Sequence, residues 1–152
     1  MQRLDCQDNL IGTVELNYDH RIPDDVLSKA TLRGKEYAWP ISAVEEAIEA
    51  ARENGMANIG GEVQFRLPDK IYELYWIGFD SDPQHEGETW NAYVVRSAEE
   101  VLNRFRQLRS QTDFIKEGTE YYKPLEQMHK EGVSLDQYLC FVLDFEEDQC
   151  KR

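Results

Sequence analysis

From Gly61 to Leu67 apolar and polar side chains alternate without a break, with Val63, Phe65 and Leu67 on one side and Glu62, Gln64 and Arg66 on the other. A period of two marks a strand with one buried face. Pro68-Asp69-Lys70 supplies a turn, and the run from Ile71 to Phe79 is rich in aromatic and β-branched residues. The two runs predict a β-hairpin over 59–79. The paired glycines Gly60 and Gly61 at its start mark a bulge or a close approach of backbone.

Elsewhere the period changes to that of a helix. Val44, Ala47, Ile48 and Ala51 share one face, with Glu45, Glu46, Glu49 and Glu53 roughly opposite. Ser42 and Glu45 form a capping box at its start, and Asn54-Gly55 supplies a stop. The longest helical pattern is Trp90, Tyr93, Val94, Ser97, Val101, Leu102, Phe105 and Leu108, capped by Thr89. Arg104, Arg106 and Arg109 suit its C-terminal end, where the dipole favours cations. Weaker patterns predict a strand over 10–18, a short helix over 26–32, an extended 37–41 before and through Pro40, and a helix over 124–131 closed by Gly132. Ser134 with Gln137 is a second capping box, so 135–145 reads as a helix or, from its aromatic and β-branched content, as a strand.

Each element carries an apolar face too large to leave in water. The pattern therefore predicts one α+β domain over 1–152, with the antiparallel hairpin packed on helices that begin at Ala43 and Trp90. Trp90, Tyr93, Val101 and Phe105 are expected to be mainly buried. At 152 residues, 41% hydrophobic and 11% aromatic, the chain is rich enough to form one packed core. No apolar run approaches the roughly 18 residues of a membrane helix. Acids break up the first thirty residues, so no signal peptide is visible and a cytoplasmic location is expected. Cys6, Cys140 and Cys150 lack framework spacing, which fits a reducing compartment, with Cys140 in the core.

Charge narrows the partners. Thirty acids against 17 bases give a net charge of −13, which argues against direct nucleic-acid binding and favours a basic partner or simple solubility. The densest carboxylate stretch is Asp80-Ser81-Asp82-Pro83-Gln84-His85-Glu86-Gly87-Glu88-Thr89-Trp90. As a calcium loop starting at Asp80 it fails, because glycine and glutamate are needed where His85 and Asn91 stand. As a zinc-protease helix it fails too, because a second histidine is needed where Thr89 stands. No metal is expected there, and no cofactor is implied anywhere. Glu86 and Glu88 are explained by the helix N-terminus that follows, which stabilises negative charge. There is no phosphate-binding glycine loop and no G-x-S-x-G elbow. His129-Lys130-Glu131 lacks the P-C-x-x-C partner of a zinc deaminase, and His20, His85 and His129 read as surface residues. No catalytic residue is assigned.

The order of elements between about Tyr37 and Phe105 resembles a family of small immunity proteins from bacterial polymorphic-toxin systems. The resemblance rests on Tyr37-Ala38-Trp39 before a capped helix, Asn58-Ile59-Gly60-Gly61-Glu62-Val63, the pair Tyr75-Trp76, and Tyr93-Val94-Val95-Arg96-Ser97 in the long helix. The family's mark is a Gly-Gly-Asp-hydrophobic strand, and Glu62 stands here in place of the aspartate. Gly60, Gly61, Glu62 and Trp76 match the motif. The resemblance implies a protein that binds a cognate toxin and blocks it, with no chemistry of its own. A cytoplasmic inhibitor of a basic toxin is thus expected. The alternatives are an enzyme with a site assembled from distant residues, and a non-inhibitory adaptor or regulator. The expected toxin-binding residues are Asp80, Asp82, Glu86 and Glu88 of the loop, with Glu62 beside them. The helix face with Glu45, Glu46, Glu49 and Glu53 is the rival surface.

Overall fold

The computed structural model describes residues 21–148. The predicted strand over 10–18, together with Cys6, His20 and Cys150, lies outside them. The chain forms a five-stranded antiparallel sheet with helices packed against one face, a single α+β domain. In order it runs through α1 (Asp24–Leu27), β1 (Thr31–Arg33), β2 (Glu36–Trp39), α2 (Val44–Glu53), β3 (Ala57–Arg66) and β4 (Ile71–Gly78). Helices α3 (Trp90–Gln111), α4 (Phe114–Tyr121) and α5 (Lys123–Lys130) follow, and β5 (Leu139–Glu146) closes the chain. The spatial order is β1-β2-β5-β3-β4, so the last strand slots between the first hairpin and the second. This position explains why β5 is apolar almost throughout. Phe141, Leu143 and Phe145 point into the main core, while Cys140 and Val142 point to the other face.

The main core lies between the sheet and the helices. Val63 and Phe65 of β3, Leu74 of β4 and Phe141 of β5 meet Ile48 of α2 and Val101 and Phe105 of α3. Phe79, Phe105, Phe114 and Phe141 pack ring to ring, with centroid separations of 5.4 to 6.3 Å. Tyr93, Val101 and Phe105 are buried as expected, while Trp90 is half-buried and donates from its indole to the Gly55 carbonyl at 2.8 Å. Thr89 caps α3, its hydroxyl accepting from the Ala92 amide at 3.1 Å.

Several expectations need correction. Ser42 does not cap α2: a 3-10 turn over Ile41–Ala43 leads into it, and the Glu45 carboxylate accepts from Arg106 instead. Of the two readings of 135–145 the strand holds from Leu139: Leu135–Tyr138 is a 3-10 turn and Leu139–Glu146 a strand, because the gap between β2 and β3 takes ladder hydrogen bonds that a helix could not supply. Helix α4 lacks a long apolar stripe and was missed. Its N-cap is Asp113, which accepts from the Lys116 amide at 3.1 Å, and Gly118 sits tight against Phe65. Of the arginines toward the end of α3, Arg109 stands in the last turn as expected, and all three also make specific contacts. Arg106 and Arg109 both reach Glu45, and Arg104 reaches the 80–82 segment.

The second face of the sheet also departs from the alternation. Gln64 and Arg66 point away from the helices, yet they are only 1% and 6% exposed. The cause is curl. Neighbouring strands lie about 4.8 Å apart, so on a flat sheet β1 would be about 14 Å from β3. An arginine side chain spans roughly half of that. Even so, Arg66 donates to the Thr31 carbonyl at 2.9 Å and the Glu36 carbonyl at 3.2 Å, and Arg33 donates to the Leu67 carbonyl at 2.6 Å. The first hairpin therefore folds over toward the end of β3, and the second face is concave. Arg66 also donates to Gln64 at 2.9 Å. Ala38, Cys140 and Val142 form an apolar cluster on this face that includes no helix residue.

Candidate functional site

The glycine pair at the start of β3 sets where everything else can sit. A Cβ on Gly60 would collide with the Asp80 carboxylate and lie 2.7 Å from the Asp80 Cα. One on Gly61 would drive into the Phe79 ring and lie 2.9 Å from the Val142 carbonyl oxygen. The motif glycines thus build the fold: they let the segment after β4 press directly onto β3. Ser81 locks that contact, its hydroxyl donating to the Asn58 carbonyl at 2.6 Å and its amide to the Ile59 carbonyl at 2.9 Å.

Beyond Ser81 the acidic loop is fastened to α3. Arg96 donates through Nε and Nη2 to the two oxygens of Glu88, at 2.7 and 2.8 Å, and through Nη1 to Glu100 at 2.9 Å. It also reaches the carbonyls of Asp82 and Pro83. The Arg96 fork, helped by the His85 amide, pulls the Glu88 carboxyl down to about 2. Arg104 binds the Asp80 carbonyl and approaches the Asp82 carboxylate at 3.5 Å. Of the expected binding residues, Glu88 is therefore occupied inside the molecule and Asp82 partly so, while Glu86 is exposed. The rival helix face is also largely paired: Glu45 with Arg106, Glu46 with Lys29 and Glu49 with Arg52.

The concave face clasps its carboxylates less: Arg66 approaches Glu36 at 4.0 Å and the Gln64 amide donates to Glu73 at 3.3 Å, while Glu62 and Asp144 have no such partner among the described residues. Ala38, Val142, Glu62 and Gly78 form one cross-strand row, and Cys140, Gln64 and Glu73 the next. Asp144 stands beside Gly60 on the far side, and Glu36 and Asp80 are close enough for their charge to act on it. Glu62 is exposed, but partial desolvation against the sheet raises its carboxyl, and repulsion from Asp144, Glu73, Glu36 and Asp80 adds to the shift. Desolvation likewise raises Asp144, with Glu36 and Asp80 adding. Among the described residues no cation pairs with Glu62 or Asp144. The sequence pointed to Glu62 and Asp80. It could not point to Glu36, Glu73 and Asp144, because only the sheet order brings three separate segments together.

Beside this face the edge strand bulges. While β3 passes from Glu62 to Gln64, β4 passes from Gly78 to Glu73, so 74–77 carries extra backbone. Leu74 and Ile77 still point into the core, but Tyr75 and Trp76 are thrown outward, 67% and 39% exposed. Tyr121, 53% exposed, completes a cluster from the end of α4. Its ring lies 4.5 Å from Trp76 and 5.9 Å from Tyr75 between centroids. The Tyr75 and Tyr121 hydroxyls are 2.7 Å apart, and the Trp76 indole donates to the Glu117 carboxylate at 2.8 Å. Tyr122 donates to the Glu73 carbonyl at 2.6 Å.

Nucleophilic and metal chemistry find weaker support. Cys140 is buried, and burial pushes its thiol up to about 11, so it stays protonated at neutral pH and is a poor nucleophile. His85 and His129 are exposed. No group of three histidine, cysteine or acidic side chains among the described residues is arranged to hold a metal ion. No described helix is long and apolar enough to cross a membrane.

No family model matches the chain, and no curated protein or solved structure matches it either.

Proposed function

We propose that this protein acts by binding, as an immunity-type inhibitor that covers a basic surface of a cognate toxin with the concave acidic face of its sheet. The observation that carries the reading is the crowd of Glu36, Glu62, Glu73, Asp80 and Asp144 on that face, where no cation among the described residues pairs with Glu62 or Asp144 and the carboxylates repel one another. A crowd of like charge is costly to the free protein and is relieved by a partner's lysines and arginines. Such complementarity raises the association rate and rejects wrong partners more than it adds affinity. The resemblance over 37–105 supports the inhibitory role, and the displayed tyrosines and tryptophan beside the face have the composition of binding hot spots.

The test is to read the frame directly upstream for a protein ending in a small basic domain, and to coexpress that domain with this chain. Relief of its growth arrest, and a one-to-one complex whose association rate falls as salt rises, would support the reading. Arrest that a soluble, folded chain fails to relieve would sink it. Neutralising Glu62, Glu73 and Asp144 together should slow association at low salt more than neutralising Asp82, Glu86 and Glu88.

A further inference from the structure

Among exposed features of the described surface, the Tyr75–Trp76–Tyr121 cluster is the one whose chemistry names an occupant. The three rings come from the β4 bulge and the end of α4 and brace one another edge to face, with planes 81–89° apart for the two pairs that involve Tyr75. Centroid separations of 4.5 to 5.9 Å leave no gap between the rings, so a ligand meets them from outside. A second copy adding a strand is disfavoured at this edge. The bulge breaks the regular spacing of the ladder, and the Glu73 carbonyl already accepts from the Tyr122 hydroxyl.

The rim of the cluster is acidic. The indole N–H holds one oxygen of Glu117 at the ring edge at 2.8 Å, and no described group donates to its other oxygen. Glu73 stands two residues before Tyr75 on the same strand and belongs to the carboxylate crowd of the concave face. An aromatic face bordered by a fixed carboxylate suits a guanidinium, which stacks flat on a ring while its fork reaches an oxygen at the edge. An ammonium takes the charge attraction without the stacking. An apolar side chain takes the ring contact but leaves the rim unpaired.

We propose that Trp76, braced by Tyr75 and Tyr121, is the anchor of the docking surface and receives an arginine of a basic protein partner, laid on the exposed ring with its fork on Glu117. This rests on the basic-partner reading above, but its test needs no toxin. The full chain, labelled with nitrogen-15, is titrated with a capped pentapeptide carrying two arginines, and separately with the lysine version. The Trp76 indole N–H resonance should move with the arginine peptide, with apparent affinity at least about threefold above that for lysine. Trp76→Ala should weaken the arginine peptide about fivefold, and Glu117→Gln should remove most of the preference for arginine. Trp39 and Trp90, tied to the carbonyls of Val26 and Gly55, are internal references that should not move. A melting curve confirms that each variant is folded. Equal shifts for both peptides confined to Glu62, Glu73 and Asp144 would overturn the anchor and leave the acidic face standing. An indole that responds to neither peptide overturns the anchor as well. Failure of toxin neutralisation with the arginine preference intact would instead sink the inhibitory role alone.

Discussion

Glu88 and Glu62 are both carboxylates reached from the second hairpin, and their titrations move in opposite directions. Glu88 lies in the loop after β4 and is clasped by the Arg96 fork, which drives its carboxyl down to about 2. Glu62 lies on the concave face, where partial desolvation and four neighbouring carboxylates drive it up. The loop is rich in acid by sequence, but its Glu88 is clasped and its Asp82 partly paired in space, because α3 lays Arg96 and Arg104 against it. The sheet face is modest in sequence and crowded in space. Charge density along a chain is therefore a poor guide to unbalanced charge on a surface, and a partner responds to the second.

The two regions meet at one backbone contact, which gives the largest expected effect. Gly60→Ala would place a Cβ 2.7 Å from the Asp80 Cα, at a φ of +154° that side chains rarely adopt. Either β3 or the 80–82 segment must move, so the loop clasp and the sheet face are disturbed together. The expected loss is about 1–3 kcal/mol in urea denaturation, as for overpacking elsewhere. Gly87→Ala is the control. Its φ is +81°, but nothing lies within 4 Å of the added Cβ, so only backbone strain opposes it, and the loss should be smaller. Equal losses at the two positions would mean that the contact with Asp80 is not what requires glycine.

The same contact shows how far the sequence could be read. Gly60 and Gly61 announced a close approach because a glycine pair inside a strict alternation has few other uses, but not that the approaching group is Asp80. The hairpin, α2, α3 and the buried Tyr93, Val101 and Phe105 were legible because each depends on a local period. β5 was ambiguous because a strand buried on both faces has no period to display. Its partners, 70 or more residues away, decide the matter. The acidic face was only partly legible for the same reason, since its carboxylates come from β2, β3, β4 and β5. Tyr75 and Trp76 were visible as an aromatic pair within a strand. Their exposure comes from a bulge that alternation cannot forecast.

The next effect concerns the clasp. Arg96→Met should lower the Tm and open the 80–88 segment to proteolysis, since one side chain serves Glu88, Glu100 and two carbonyls. Arg104→Met should cost less, because its side chain is 43% exposed against 20% for Arg96. The pH dependence follows from the lowered Glu88 carboxyl. Its stabilisation is fully present above the ordinary carboxyl range near pH 4 and is lost as the pH falls through about 2. The Tm difference between the parent chain and Glu88→Gln should therefore shrink over that interval. A difference that stays constant down to pH 2 would show that the ion pair does not supply it.

The smallest and most discriminating effect has the opposite sign. Glu62 and Asp144 titrate above their ordinary values, so the fold disfavours their ionised forms. As the pH falls from neutrality, the folded chain takes up these protons before the unfolded chain does, and this contribution to stability rises until the unfolded values near pH 4 are passed. Glu62→Gln and Asp144→Asn should each leave stability unchanged or slightly higher at pH 7, and the advantage should vanish in acid. Because each change relieves repulsion that the other shares, the double variant should gain less than the sum of the singles. The check is Tm against pH for the four chains, run at low salt and again at 0.5 M, where screening should reduce any gain on so open a face. Loss of stability at pH 7 in either single variant would mean that the carboxylate is held by a favourable contact. The contrast between a clasped loop and a crowded face would then fail on the side that the binding proposal depends on.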